Sequence, residues 1–92
     1  MKTKPEISVI MAAFNAEKYV KSAVDSILSQ TFDNFEFIIV DDGSQDETAK
    51  VLQSITDDRV RILSNTKNMG LAKSLNKAIA ESRGRYVARQ DA

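Results

Sequence analysis

The chain contains no cysteine and no histidine. Their absence excludes disulfides, thiolate chemistry, zinc sites built from these side chains and imidazole-based catalysis. It also lacks an excess of charge of either sign, since 13 basic residues balance 13 acidic ones. No global basic field therefore exists to hold nucleic acid, and any anion must be bound by local geometry. Apolar runs fall far short of the roughly 20 residues that span a bilayer. The polar start, residues 1–6, lacks the pattern of a secretory leader. A soluble, cytoplasmic chain without a membrane segment is the expectation. Repeats, linkers and low-complexity tracts are missing as well. Ninety-two residues make one domain or part of one, burying about two-thirds of the unfolded surface. One domain over residues 1–92 is the economical reading.

What is present is an alternation of short apolar runs and helical periodicities. Residues 7–13 are apolar and rich in β-branched side chains, which predicts a buried strand. Asn15 is placed to cap a helix on which Tyr19, Val20, Ala23, Val24, Ile27 and Leu28 recur at helical spacing to about residue 30. Phe14 and Tyr19 read as packing residues. Phe35 to Val40 predicts a second strand, apolar on both faces except at Glu36. Ser44 and Glu47 have the spacing of a capping box for a second helix, with Val51, Leu52 and Ile55 inward and Asp57-Asp58 at its end. Residues 59–63 alternate like a half-exposed edge strand. Asn65 to Gly70 is a polar loop. Leu71, Leu75, Ala78 and Ile79 mark a third helix closed by Arg83-Gly84, and Tyr86 to Arg89 is a fourth strand.

The order β-α-β-α-β-α-β demands parallel strands with right-handed crossovers. Two strands that read as central and a third that reads as an edge are satisfied by the order 3-2-1-4. The expected fold is α/β, a Rossmann-like three-layer sandwich on a parallel four-stranded sheet that looks like half of a larger one. The outer edge of the fourth strand would lack a neighbour, which invites self-association there or fraying of residues 85–92.

Asp41 and Asp42, at the end of the second strand, form the first candidate site. In open α/β sheets ligands bind at that end. Adjacent carboxylates repel, so a cation, donors or solvent must compensate them. They either accept a hydrogen bond from a nucleobase N–H or sugar hydroxyl, or satisfy loop amides while Ser44 caps the helix. The amides of Asn68-Met69-Gly70 could face a phosphate, with Lys73 adding charge; the alternative is an ordinary loop in which Gly70 serves for its backbone freedom. Neither G-x-G-x-x-G nor G-x-x-x-x-G-K-[ST] is present, so nicotinamide and P-loop readings lack their motif. Asp91 has the chemistry of a divalent-metal ligand, although one carboxylate is not a metal site. Arg83, Arg85 and Arg89 read as solvated charges flanking a strand. A receiver-like signalling domain also gathers acids at the ends of parallel strands, but a phosphoacceptor on another strand and a late lysine are not evident. A non-catalytic nucleotide-binding or interaction module is the other alternative.

Taken together, residues 8–15, 26–32, 40–44, 68–72 and 84–87 resemble, in order and spacing, family 2 of the inverting glycosyltransferases. The resemblance covers nearly the whole chain. It implies the N-terminal, nucleotide-binding half of a GT-A fold in a hexosyltransferase of polysaccharide biosynthesis. It further implies a nucleotide-diphosphate sugar donor, usually of uridine, and a divalent metal, Mn2+ or Mg2+. By this resemblance Ala12, Ala13, Phe14 and Asn15 line the nucleotide pocket, and Asp41 and Asp42 lie at the base, with Asp42 accepting its N–H. Asp91 would be the first acid of a D-x-D motif near the ribose and the metal. The second acid would fall just after Ala92, so the metal site and the transferase would be incomplete, with the catalytic base elsewhere in a parent enzyme at the inner face of the membrane. Ala13 stands where many relatives have Pro, and Leu75 where many have Arg. Lys73, two positions away and on a different helical face, is a candidate substitute cation.

Overall fold

A computed structural model describes residues 4–91. In chain order the elements are β1 (Ile7–Ala13), α1 (Val20–Leu28), β2 (Phe35–Asp42), α2 (Thr48–Gln53), β3 (Val60–Asn65), α3 (Leu71–Glu81) and β4 (Tyr86–Arg89). They build one four-stranded sheet in the order β3-β2-β1-β4, with every neighbouring pair parallel. This is the expected topology.

All eight residues of β2 are buried, as its unbroken apolar run requires of a central strand covered on both faces. Because side chains alternate across a strand, the two faces collect different residues. On one, Met11, Phe37 and Ile39 pack with Val20 and Val24 of α1 and Leu52 of α2. On the other, Ile10, Ile38 and Val40 pack with Ala78 of α3, joined by Leu63 and Leu75. Handedness explains the division. The steps β1 to β2 to β3 run one way along the sheet, so right-handed crossovers put α1 and α2 on the same face. The return from β3 to β4 runs the other way and places α3 opposite. Strand order therefore reverses between β1 and β4, the position at which open α/β sheets form their ligand crevice. Among the described residues no helix is long and apolar enough to cross a membrane.

Several local expectations are corrected. The Ser44–Glu47 capping box does not form: α2 starts at Thr48 with no capping bond from the Glu47 side chain. Asp46 serves its first turn instead, its Oδ1 accepting from the Thr48 amide at 2.9 Å and the Thr48 hydroxyl at 2.6 Å. Asn15 does not cap α1, which begins only at Val20 after a turn in which the Ala16 carbonyl accepts from the Tyr19 and Val20 amides. The second helix stops at Gln53, ahead of Asp57, with the Ser54 hydroxyl donating to the Val51 carbonyl. The third ends at Glu81, before Arg83-Gly84, where Ser82 turns extended. Phe14 and Tyr19 are not packing residues but are 49% and 67% exposed, lying on the loop that leaves the sheet after β1. Leu71 and Ile79 of α3 are also exposed, because that helix buries only the narrow face carrying Ser74 and Ala78.

Candidate functional site

β2 delivers Asp41 and Asp42 to the C-terminal end of the sheet, where both side chains are nearly buried. The Asp42 carboxylate is held from every side. Its Oδ1 accepts from the Met69 amide at 2.7 Å and Asn65 Nδ2 at 2.9 Å. Its Oδ2 accepts from the Gly70 amide at 3.0 Å and Asn68 Nδ2 at 3.1 Å. Burial alone would push the Asp42 pKa up. The Met69 amide, the Asn65 side chain, the Gly70 amide and the Ser74 hydroxyl outweigh it and hold the carboxyl below its usual range. Asp42 is thus an ionised anchor for the loop between β3 and α3. The amides of Met69 and Gly70, which the sequence offers to a phosphate, are committed to it.

Asn68 points its Nδ2 at both Asp42 Oδ2 and, at 3.4 Å, the Asp42 carbonyl. Two acceptors on that side fix the amide's orientation chemically. Its Oδ1, on an exposed residue, has no donor among the described residues. Among the described residues Asp41 accepts only from the Ser44 amide, through Oδ1 at 3.1 Å. Because no buried side-chain polar atom lacks a partner among the described residues, its second oxygen reaches solvent. Between these acids and the loop, Gly43 adopts φ +72, and a Cβ there would lie 2.4 Å from the Lys67 carbonyl carbon and 2.5 Å from the Asn68 amide nitrogen. Only glycine lets the two loops touch.

The loop after β1 is braced against the loop after β2. The Asn15 amide donates to Ser44 Oγ at 3.0 Å, and Asn15 Oδ1 accepts the Gln45 amide at 2.8 Å. The Ala16 amide donates to Thr48 Oγ1 at 2.8 Å, and the Glu17 amide to Asp46 Oδ2 at 3.3 Å. These bonds hold Asn15 at φ 48, an uncommon conformation for a non-glycine residue. They brace the loop that follows Ala13 from outside. Ala12 is half-buried and Ala13 buried, while Phe14 and Asn15 stand at the rim.

Asp91 lies at the same end of the sheet. Arg89 pairs with Ile10, and the Gln90 amide donates to the Ile10 carbonyl at 2.9 Å, so Asp91 continues alongside the end of β1. It is two strands from Asp41, about 10 Å at ordinary strand spacing. Its Oδ1 accepts from Arg89 Nε at 2.9 Å. Among the described residues no three Asp, Glu, His or Cys side chains gather as a metal-binding group, so Asp91 does not by itself fit a cation. Lys73 is exposed in the first turn of α3 and pairs with nothing described. Sequence reasoning missed Asn65, Asp46 and Thr48, whose partners are assembled from separate loops.

A cleft of about 540 Å³ opens at the opposite end of the sheet, lined by Lys4, Asp33, Glu36, Arg59, Arg61 and Arg83 among others. Several of its charges are paired. Arg59 pairs with Asp33 and Asp57 at 2.8 Å, and Arg61 with Glu81 at 2.8 Å. Arg83, read from the sequence as a solvated charge, reaches the buried Glu36 at 3.3 Å.

A parallel α/β sheet with acids at its strand ends, beside braced loops and a reversal of strand order, belongs to the class of open α/β proteins that bind ligands at that crevice. Residues 8–92 match glycosyl transferase family 2, and the chain belongs to that family. It is 43% identical, over its full length, to an uncharacterized glycosyltransferase of Haemophilus influenzae, covering 29% of that protein. It is 39% identical over 89% of its length to the Escherichia coli UDP-Glc:alpha-D-GlcNAc-diphosphoundecaprenol beta-1,3-glucosyltransferase WfaP, covering 33% of it. The chain thus spans about a third of the length of these curated relatives. Among solved structures it superposes on S. aureus TarS 1–349 in complex with UDP-GlcNAc with a TM-score of 0.88 and 29% identity, covering 94% of this chain and 26% of that one. The mannosyltransferase PcManGT from Pyrobaculum calidifontis, in complex with GDP-Man and Mn2+, shares the fold at a TM-score of 0.77 and 23% identity, covering 87% of this chain and 25% of that one.

Proposed function

We propose that this chain is the nucleotide-sugar-binding part of an inverting glycosyltransferase that takes a UDP-sugar as donor and an acceptor hydroxyl as second substrate. The observation that carries this reading is the meeting of Asp41, Asp42 and the braced 12–15 loop at the ends of β1 and β2, beside the reversal of strand order, in a chain of this family. The UDP-glucose in the name of the Escherichia coli relative and the UDP-GlcNAc bound to TarS support uridine as the base. In this reading the base lies against Ala12 to Asn15. Asp42 meets the base N–H by releasing Asn68 Nδ2, whose side chain is at the exposed rim. Asp41 offers its solvent-facing oxygen nearby, and Lys73 and Asp91 flank the diphosphate and ribose.

In the whole enzyme the acceptor oxygen attacks the anomeric carbon on the face opposite the diphosphate. The bond from that carbon to the diphosphate oxygen breaks, and the hydroxyl proton passes to a general base. Residues of this chain bind and orient the donor, and alone they transfer no sugar. A divalent ion would stabilise the leaving diphosphate, but the described residues do not complete a site for one. The test is an NMR titration with UDP. We expect an affinity on the order of 0.1–10 mM, about 3–5 kcal/mol, with shifts in residues 12–15 and 41–44. Unshifted amides there at saturating UDP would refute the reading.

A further inference from the structure

At the end of the sheet remote from Asp42, Glu36 is a buried carboxylate, 4% exposed, for which donor binding has no use. It precedes Asp42 by six residues in β2, about 20 Å along a parallel strand. Its Oε2 accepts both the Ser8 hydroxyl at 2.5 Å and the Arg83 amide at 2.6 Å. Ser8 Oγ in turn accepts the Gly84 amide at 2.7 Å. The guanidinium groups of Arg83 and Arg61 approach Oε1 at 3.3 and 3.5 Å. The pair therefore closes on the two residues that lead into β4. The approach is tight, for a Cβ on Gly84 would lie 2.5 Å from the Ser8 amide nitrogen.

Apart from its main-chain ladder to β1, β4 has no buried side chain to fix its position among the described residues. All four of its residues are exposed. A buried hydrophobic face is what ordinarily specifies strand register, and a slip of two residues keeps every side chain on its own face. Such a slip would move the strand by about 6.6 Å. The observed register, Ile7 with Tyr86 through Ile10 with Arg89, carries Gln90 and Asp91 to the mouth of the sheet. A slip would carry Asp91 out of it.

We propose that the Glu36–Ser8 pair is the register lock of β4, and that Glu36 is thereby a positioning residue for Asp91 at the donor site. The second half rests on the nucleotide reading of the strand ends; the lock itself does not. The test compares the wild-type chain with Glu36→Gln and Ser8→Ala by NMR. Glu36→Gln places an NH2 against the arginines, and Ser8→Ala removes the link to Gly84. In both variants we expect the cross-strand contacts between β1 and β4 to weaken or double. Exchange of the Tyr86 and Gln90 amides should speed by about tenfold or more, while β2 amides stay protected. UDP should still shift residues 12–15 and 41–44 in the variants but no longer residues 90–91, a selective loss that general destabilisation would not give. A single native register with wild-type exchange in both variants would overturn the lock. So would unfolding of the whole sheet in both, since the pair would then hold the sheet and not the register. If UDP leaves the wild type unshifted, the donor reading fails while the register signals still decide the lock.

Discussion

Replacing Asp42 by alanine should release the loop between β3 and α3 before any ligand is considered. The carboxylate accepts four hydrogen bonds, two from main-chain amides and two from asparagine side chains. Bonds to a charged group contribute about 1.5–3 kcal/mol each. They will not sum, because Met69 and Asn68 are exposed and water can replace part of what is lost. A net destabilisation of about 2–4 kcal/mol follows. A domain of this size has about 5–14 kcal/mol in total, so the variant folds but with a clearly lowered urea midpoint. Asp42→Asn keeps the shape and one acceptor oxygen but opposes an NH2 to two donors, and should fall between the two. Amide exchange supplies the local readout: Met69 and Gly70 should lose protection first, and UDP binding should be lost with them. An Asp42→Ala chain with the wild-type midpoint and protected Met69 and Gly70 amides would refute the anchor.

Acid should act on the same contacts. Hydrogen bonds from Arg59 hold Asp57 at about 2, and the bonds to Asp42 and Glu36 depress those carboxyls as well. Their folded pKa values lie below the unfolded ones, so the stability they contribute is present above about pH 4 and lost as pH falls toward 2; a urea midpoint that stays flat across that window would contradict this. Gly43→Ala combines a positive φ with main-chain contacts under 3 Å and should cost about 2–3 kcal/mol, with the 65–70 loop disordered in exchange experiments. Manganese should change the UDP affinity of this chain by less than about twofold in calorimetry, since Asp91 alone supplies few of the oxygen ligands such an ion takes.

The sequence by itself determined the elements and their order. The apolar run of β2, the helical spacing of α1 and α3 and the alternation of β3 are signals of backbone periodicity, read within a few residues of each other. Handedness and the burial of the first two strands then left the order 3-2-1-4, and the strand-end motifs marked the acidic mouth of the sheet. Tertiary structure decided what those acids touch. Asp42 is saturated by donors 23 to 28 residues away, and Glu36, an apparent blemish in an apolar strand, is explained by an amide 47 residues on. The capping box failed for the same reason. Ser44 has the local spacing of a cap, but the loop after β1 lies within reach, and its Asn15 amide takes the serine oxygen instead. Local spacing fixes which bonds a segment can make with itself. Which of them it makes depends on the competing partners that packing brings alongside, and those enter only when the sheet has closed.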